Sequence, residues 1–366
     1  MSTTIPRLIA GLAISAVVAL TAACGKKEQA QPTAAPAKAA PAKVESYRIA
    51  WSHYTGWEPW GYMTDAGILK KWADKYGIAI EVTLINDYVE SINLYTAGKF
   101  DGCVMTNMDA LTIPAVGGID STALIVGDYS NGNDGIVMKN GGDVKALEGR
   151  PVNLVELSVS HYLLARALDK HGMSEKDVTV INTSDADIAA AFTNDANGAA
   201  VTWNPPLQQA LKAPGATLVF DSSQIPGEIM DLMVVKSGAP DSLKKALTGA
   251  WYEMLALMSG STPEGVKAIE AMAQASGATV DEFKAQLETT EMFYEPAKAV
   301  EFSATIAPIM ESVRSFAFAK GLYGEGAQSA DLVGIELVDG KVLGDPQNVK
   351  LRFTDKYMRM AAEGKL

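Results

Sequence analysis

"YRIAWSHYTGWEPWGYMTDAGILKKWADKYGIAIEVTLI", Tyr47 to Ile85, decides the fold class. "YRIAW" reads as a strand, "GYMTDAGILKKWADKYG" as an amphipathic helix stopped by Gly77, and "IAIEVTLI" as a second strand. The alternation continues with the helical "VESINLYTAGKF" and the strand "DGCVMT". Two further strand patterns, "STALIVGDYS" and "DGIVMK", are separated only by the Gly and Asn of "NGND". A second β/α set follows: "PVNLVE", the helix "SVSHYLLARALDKHG", "VTVINT", the helix "DADIAAAFTN", and "GAAVTW" ahead of Pro205 and Pro206 at a helix start. "ATLVFDSS" and "MDLMVVKSG" are strands, after which the chain is mostly helical from Asp241 to about Lys320. No internal repeat or solenoid period is visible in the sequence. Two α/β sets joined by two short crossings, near Asp128 to Asp134 and Asp221 to Glu228, predict two lobes: 44–130 with 229–366, and 131–228.

Composition limits the function classes. The chain has 366 residues, 48% hydrophobic and 20% charged, enough for two lobes with real cores. A net charge of −12 argues against nucleic acid, which requires a basic footprint, and favours cationic or neutral partners over anions. Arg7 ahead of the apolar run Leu8 to Ala23 reads as a signal peptide over residues 1–23, a run too short to span a membrane. "LTAAC" then places small residues before Cys24, the pattern of a lipobox whose cysteine carries lipid; Thr21 stands where such motifs usually have Leu, so ordinary cleavage at an alanine is the alternative. Residues 24–43, rich in Ala, Pro, Lys and Gln, read as a tether reaching up to roughly 60 Å. The expected address is the periplasm, on a lipid anchor or free. With Cys24 acylated, Cys103 is the remaining thiol and no intrachain disulfide is available.

In open α/β sheets ligands bind beyond the carboxyl ends of the strands, so the residues that follow each strand are the candidates. "WSHYTGWEPWGY", Trp51 to Tyr62, packs half of the chain's six tryptophans there and offers Trp57 and Trp60, with His53, Tyr54 and Glu58. The next strands are followed by Asp87 and Tyr88, then by Thr106, Asn107 and Asp109. In the second set Glu156 and Ser158, Asp185, and Trp203 with Asn204 occupy the equivalent places. Asp231 is unusual inside the strand "IMDLMVV", because Asp is depleted from strands. Structural roles compete at several positions: Asp87 with Glu90 fits a capping box, Asp109 suits a turn cap, and Glu156 precedes a helix whose dipole favours negative charge. His53, His161 and His171 are too scattered for a metal cluster, Met105, Met108, Met230 and Met233 read as core filler, and neither metal nor cofactor is expected.

The order of "GWEPWGYM", "AGKFDGCVMTNMDAL", "GDYSNGNDGIV", "LSVSHYLL" and "TWNPPL" resembles the solute-binding proteins of ABC importers in the nitrate, sulfonate, taurine and thiamine-precursor group. It is most similar to the branch linked with urea carboxylase genes, for which urea or guanidine is the ligand. The resemblance runs from about Val44 and weakens after Val300. It implies a type II periplasmic binding fold, a monomer whose lobes close on a small solute, and delivery to a permease in the inner membrane.

The residues themselves then discriminate among solutes. Nitrate, taurine and sulfonates want Arg, Lys or bare helix N-termini. Arg48, Arg150 and Arg166, the only arginines between Arg7 and Arg314, read as strand start, turn and mid-helix, none of them at a strand's carboxyl end. A guanidinium ion wants π faces and in-plane carboxylates, which Trp57, Trp60 and Trp203 with Asp87, Asp109 and Glu156 supply. Cation–π contacts contribute about 2 kcal/mol when desolvated and charge-assisted hydrogen bonds about 1.5 to 3 each. Neutral urea suits the same walls with fewer carboxylates. Small anions and quaternary ammonium ions are the alternatives. An enzyme on the same fold is the distant one, since no nucleophile elbow, phosphate loop or iron site is present in the sequence.

Overall fold

The computed structural model describes residues 44–196 and 198–366. The expected signal peptide, Cys24 and the tether lie outside the described residues.

Among the described residues fourteen strands form two sheets, and the first half of the chain builds them in the order the hydrophobic pattern predicts. β1 (Glu45–Trp51), β2 (Ile78–Leu84), β3 (Gly102–Thr106) and β4 (Ser121–Ser130) belong to the larger sheet. β5 (Asp134–Lys139), β6 (Pro151–Leu154), β7 (Thr179–Asn182), β8 (Ala199–Trp203) and β9 (Ala216–Asp221) make the smaller one. β10 (Met230–Lys236), β11 (Thr290–Met292), β12 (Gly334–Glu336), β13 (Val342–Leu343) and β14 (Val349–Phe353) return to the larger sheet. The Gly and Asn of "NGND" therefore do not close a hairpin. Between β4 and β5 the chain leaves one sheet for the other, and between β9 and β10 it comes back.

A repeat that the sequence hides appears in the sheet order. The larger sheet contains β2-β1-β3-β10-β4 and the smaller is β7-β6-β8-β5-β9. In each, the first three strands are mutually parallel, and the strand made just after a crossing inserts antiparallel to both neighbours. Both crossings thus enter the middle of a sheet, with β4 and β10 lying side by side as the two strands the crossings hang from. β3 and β5 are buried along their whole length, and β4 and β10 nearly so, as sheets covered by helices on both faces require. The mostly helical stretch is present as five helices between Asp241 and Ala319, interrupted by β11. Beyond it, β14 adds in parallel to β4 and extends the larger sheet.

Two glycines allow the loop after β1 to lie close to its neighbours. A Cβ on Gly61 would stand 2.7 Å from the Trp51 ring, and one on Gly56 would stand 2.6 Å from Oδ2 of Asp128. The second approach brings the aromatic loop against a carboxylate of β4.

Candidate ligand-binding site

Between the two sheets lies a small cavity of about 10 Å³. Tyr54 and Trp57 reach it from the loop after β1, Tyr88 from the helix start after β2, and Thr106 from the end of β3. From the smaller lobe come Val159, after β6, and Trp203, at the end of β8. Asp134, Ile229 and Asp231 enter where the chain crosses between lobes. The carboxyl ends of the parallel strands and both crossings meet at one place, as the topology of open α/β sheets demands.

Its wall is a run of four touching rings. Tyr54 and Trp57 have centroids 5.0 Å apart, Trp57 and Tyr88 5.6 Å, and Tyr88 and Trp203 5.4 Å, the last edge-to-face. The run begins in the larger lobe and ends in the smaller. Trp203 is tied across the gap, its Nε1 donating to the carbonyl of His53 at 3.2 Å. Further from the cavity, Lys320 pairs with Glu175 at 2.6 Å and Lys212 with Glu282 at 2.7 Å, while Tyr162 packs edge-on against Phe316. At the second crossing Arg166 grips the Glu228 carboxylate through Nε and Nη2, and the Tyr162 hydroxyl donates to it at 2.6 Å. Asn107 holds the same crossing, its Nδ2 donating to Glu228 O and its Oδ1 accepting from Met230 N–H. The lobes are shut over the cavity.

The floor is acidic. Asp109 is fully buried and accepts from the Tyr88 hydroxyl at 2.7 Å and the Thr106 hydroxyl at 2.9 Å. Burial nevertheless pushes its carboxyl up to about 6, those hydrogen bonds offsetting only part of the penalty. Asp134 is pushed up to about 7 by burial, eased by Ser130 and worsened by the nearby charge of Asp109. Asp128 and Asp231 are partners in the β4–β10 register, and the Tyr54 hydroxyl donates to Asp128 at 3.1 Å. Burial raises Asp128 to about 7; burial and then the charge of Asp128 carry Asp231 well above the usual carboxylate range. Oδ1 of Asp109, Oδ2 of Asp128, Oδ2 of Asp231 and Nε1 of Trp57 are buried without a partner. Among the described residues, no Lys, Arg or His makes an ion pair with any of these four aspartates. Nor are three His, Cys, Asp or Glu side chains placed among the described residues to hold one metal ion.

Of the residues singled out in the sequence, Trp57, Trp203, Tyr54, Tyr88, Thr106 and Asp231 line the cavity, and Asp109 stands immediately behind Tyr88 and Thr106. The placement of others corrects the expectation. Glu156 is exposed, with its N–H donating to Asn182, because the turn after β6 points it away from the gap. Asp87 is also exposed and caps the helix Tyr88–Thr96 by accepting from Glu90 N–H at 2.8 Å. Trp60, in the helix behind the loop, stacks on Trp251 at 5.2 Å and misses the cavity. His53 Nδ1 and Glu58 Oε1 pair at 2.7 Å and line a separate pocket on the outer side of the loop. Ser158 caps the helix Val159–Lys170, and Asn204 Oδ1 accepts from Gln208 N–H, so both serve local structure, as Asn107 does at the crossing. Asp128 and Asp134 were missed. They are the residues that bound the first crossing, and their signal was an acid at each end of a segment that had to pass between two cores.

This architecture, two α/β lobes joined by two crossings around a shared cavity, is the periplasmic binding protein fold. The family described as NMT1/THI5 like matches residues 66–239. The alkanesulfonate-binding protein SsuA from Xanthomonas axonopodis pv. citri superposes with a TM-score of 0.63 at 17% identity, over 80% of this chain and 98% of that one. The periplasmic aliphatic sulphonate binding protein SsuA from Escherichia coli gives 0.62 at 18%, over 77% and 95%. The periplasmic nitrate-binding protein NrtA from Synechocystis PCC 6803 gives 0.63 at 14%, over 88% and 89%. No curated protein matches the sequence.

Proposed function

We propose that this protein is the solute-binding component of an ABC importer, not an enzyme, and that it captures a small planar nitrogen-rich solute of guanidinium or urea type between its lobes. One observation carries the reading: buried Asp134 and Asp231 line an aromatic cavity, Asp109 and Asp128 are buried just behind it, and among the described residues no basic side chain pairs with any of the four. Ionising these acids together is strongly penalised, and a bound cation relieves part of that penalty. Nitrate or a sulfonate in the same place would add to it. The names of the similar structures support the class of protein, whereas the acids of this cavity speak for a different solute. The cavity leaves room for about one water-sized sphere, about 10 Å³, so the shut form is nearly filled by its own side chains and only a small guest, admitted as the lobes part, suits it.

The same reading makes 131–228 the lobe that closes. It places the protein in the periplasm as a monomer held by lipid on Cys24, free to reach a permease through its tether. Mass spectrometry of the mature N-terminus tests the anchor: an unmodified alanine terminus rejects it. For the solute, calorimetric titration with guanidinium, urea, choline, taurine and nitrate should give the tightest binding to guanidinium. Tightest binding to taurine or nitrate would sink the proposal.

A further inference from the structure

Behind Trp57 lies a second, inner chamber, also of about 10 Å³, walled by Trp60, Trp251 and Gly127 and sharing Trp57 and Asp231 with the ligand cavity. Asp128 lines only this inner chamber. Asp128 and Asp231 sit opposite one another on β4 and β10, the two strands that carry the crossings, and both line the inner chamber. Tyr54 from the loop after β1, Asp134 at the start of β5 and Tyr294 after β11 are the other titratable groups acting on the pair. None is a base. Two adjacent carboxylates in a dry site cannot both ionise and titrate as one unit.

Resting on the reading of the cavity as a cation site, we propose that Asp128 and Asp231 share one proton across the hinge while the site is empty. Seating a cation drives that proton into solvent. The exchange selects a charged guest over a neutral isostere, because the guest's charge replaces the proton's and no net charge is buried. Urea has nothing to exchange, so it meets the pair still protonated and gains only its own hydrogen bonds. Asp231, touching both chambers, transmits the guest's charge to Asp128 without Asp128 meeting the guest.

The test is titration calorimetry of the mature protein with guanidinium chloride and with urea, in phosphate and in ACES, two buffers that both accept protons at this pH and differ in heat of ionisation. We expect the guanidinium enthalpy to differ between the buffers by the heat of releasing about half to one proton at pH near 6.5, and its affinity to fall by up to about tenfold per pH unit below about 7. Urea should show neither effect. Asp128→Asn and Asp231→Asn should each remove most of the buffer dependence. Guanidinium binding with buffer-independent heat and flat pH dependence overturns the inference while leaving the cation reading intact. Undiminished proton release in both asparagine variants also overturns it, by placing the proton on Asp109 or Asp134. Absence of guanidinium binding overturns the cation reading and this inference together.

Discussion

Trp203 Nε1 donates to the main-chain carbonyl of His53, joining the last residue of β8 in the smaller lobe to the loop after β1 in the larger one. Because the same indole ends the ring run over the cavity, closure and the ligand wall depend on one side chain. Trp203→Phe keeps a ring and removes the donor. A hydrogen bond is worth about 0.5 to 1.5 kcal/mol net, so solute affinity should drop about threefold to tenfold with little change in Tm. Trp203→Ala should weaken binding further but also destabilise the fold by about 3 to 5 kcal/mol, since Trp203 is only 4% exposed. Normal affinity of the Phe variant by calorimetry would show that the second wall is elsewhere.

Asp134 faces the cavity and has no basic partner among the described residues. Asp134→Asn should cost a cationic solute about 1.5 to 3 kcal/mol, roughly tenfold to 150-fold in Kd, and raise the Tm of the empty protein by removing a buried charge. Calorimetry and thermal melts on one preparation check both directions.

The aspartates give stability a pH dependence whose sign is fixed. Asp109, Asp128 and Asp134 are raised to about 6, 7 and 7, so the folded state binds their protons more tightly than the unfolded chain does. Their contribution is full below the ordinary carboxylate value near about 4 and is lost as pH rises through about 6 to 7. His53, raised by its hydrogen bond to Glu58, acts in the same direction. Glu175, held at about 2 chiefly by His161, loses its contribution only in strong acid and leaves this window untouched. Melts of the empty protein should therefore give a Tm that falls from about pH 5 to about pH 8, and saturating guanidinium should flatten the curve. A Tm that rises over that range would contradict the assignment.

Two residues nominated on sequence grounds should be silent in binding. Glu156→Ala should change neither affinity nor Tm, as expected for an exposed side chain whose carboxylate lies outside the cavity. Asp87→Ala should lower stability by about 0.5 to 2 kcal/mol through loss of its cap while leaving Kd within about twofold. A large loss of affinity in either would mean that the ligand meets the protein outside the cavity.

The local pattern of apolar residues and breakers was sufficient for the β/α alternation, the two crossings, the aromatic loop after β1 and the shortage of arginine near the strand ends. These depend on neighbours within a few residues, where periodicity and turn chemistry act directly. Whether an acid caps a helix or faces a ligand was not decided at that range: Asp87 and Asp109 both follow strands, yet one turns to its own helix and the other is buried beneath Tyr88. Only the folded chain, by laying β10 against β4 across a separation of about a hundred residues, put Asp231 opposite Asp128 and left both without a counter-charge. Burial and charge pairing are sums over everything packed nearby, so they belong to the tertiary structure and not to any segment of the sequence.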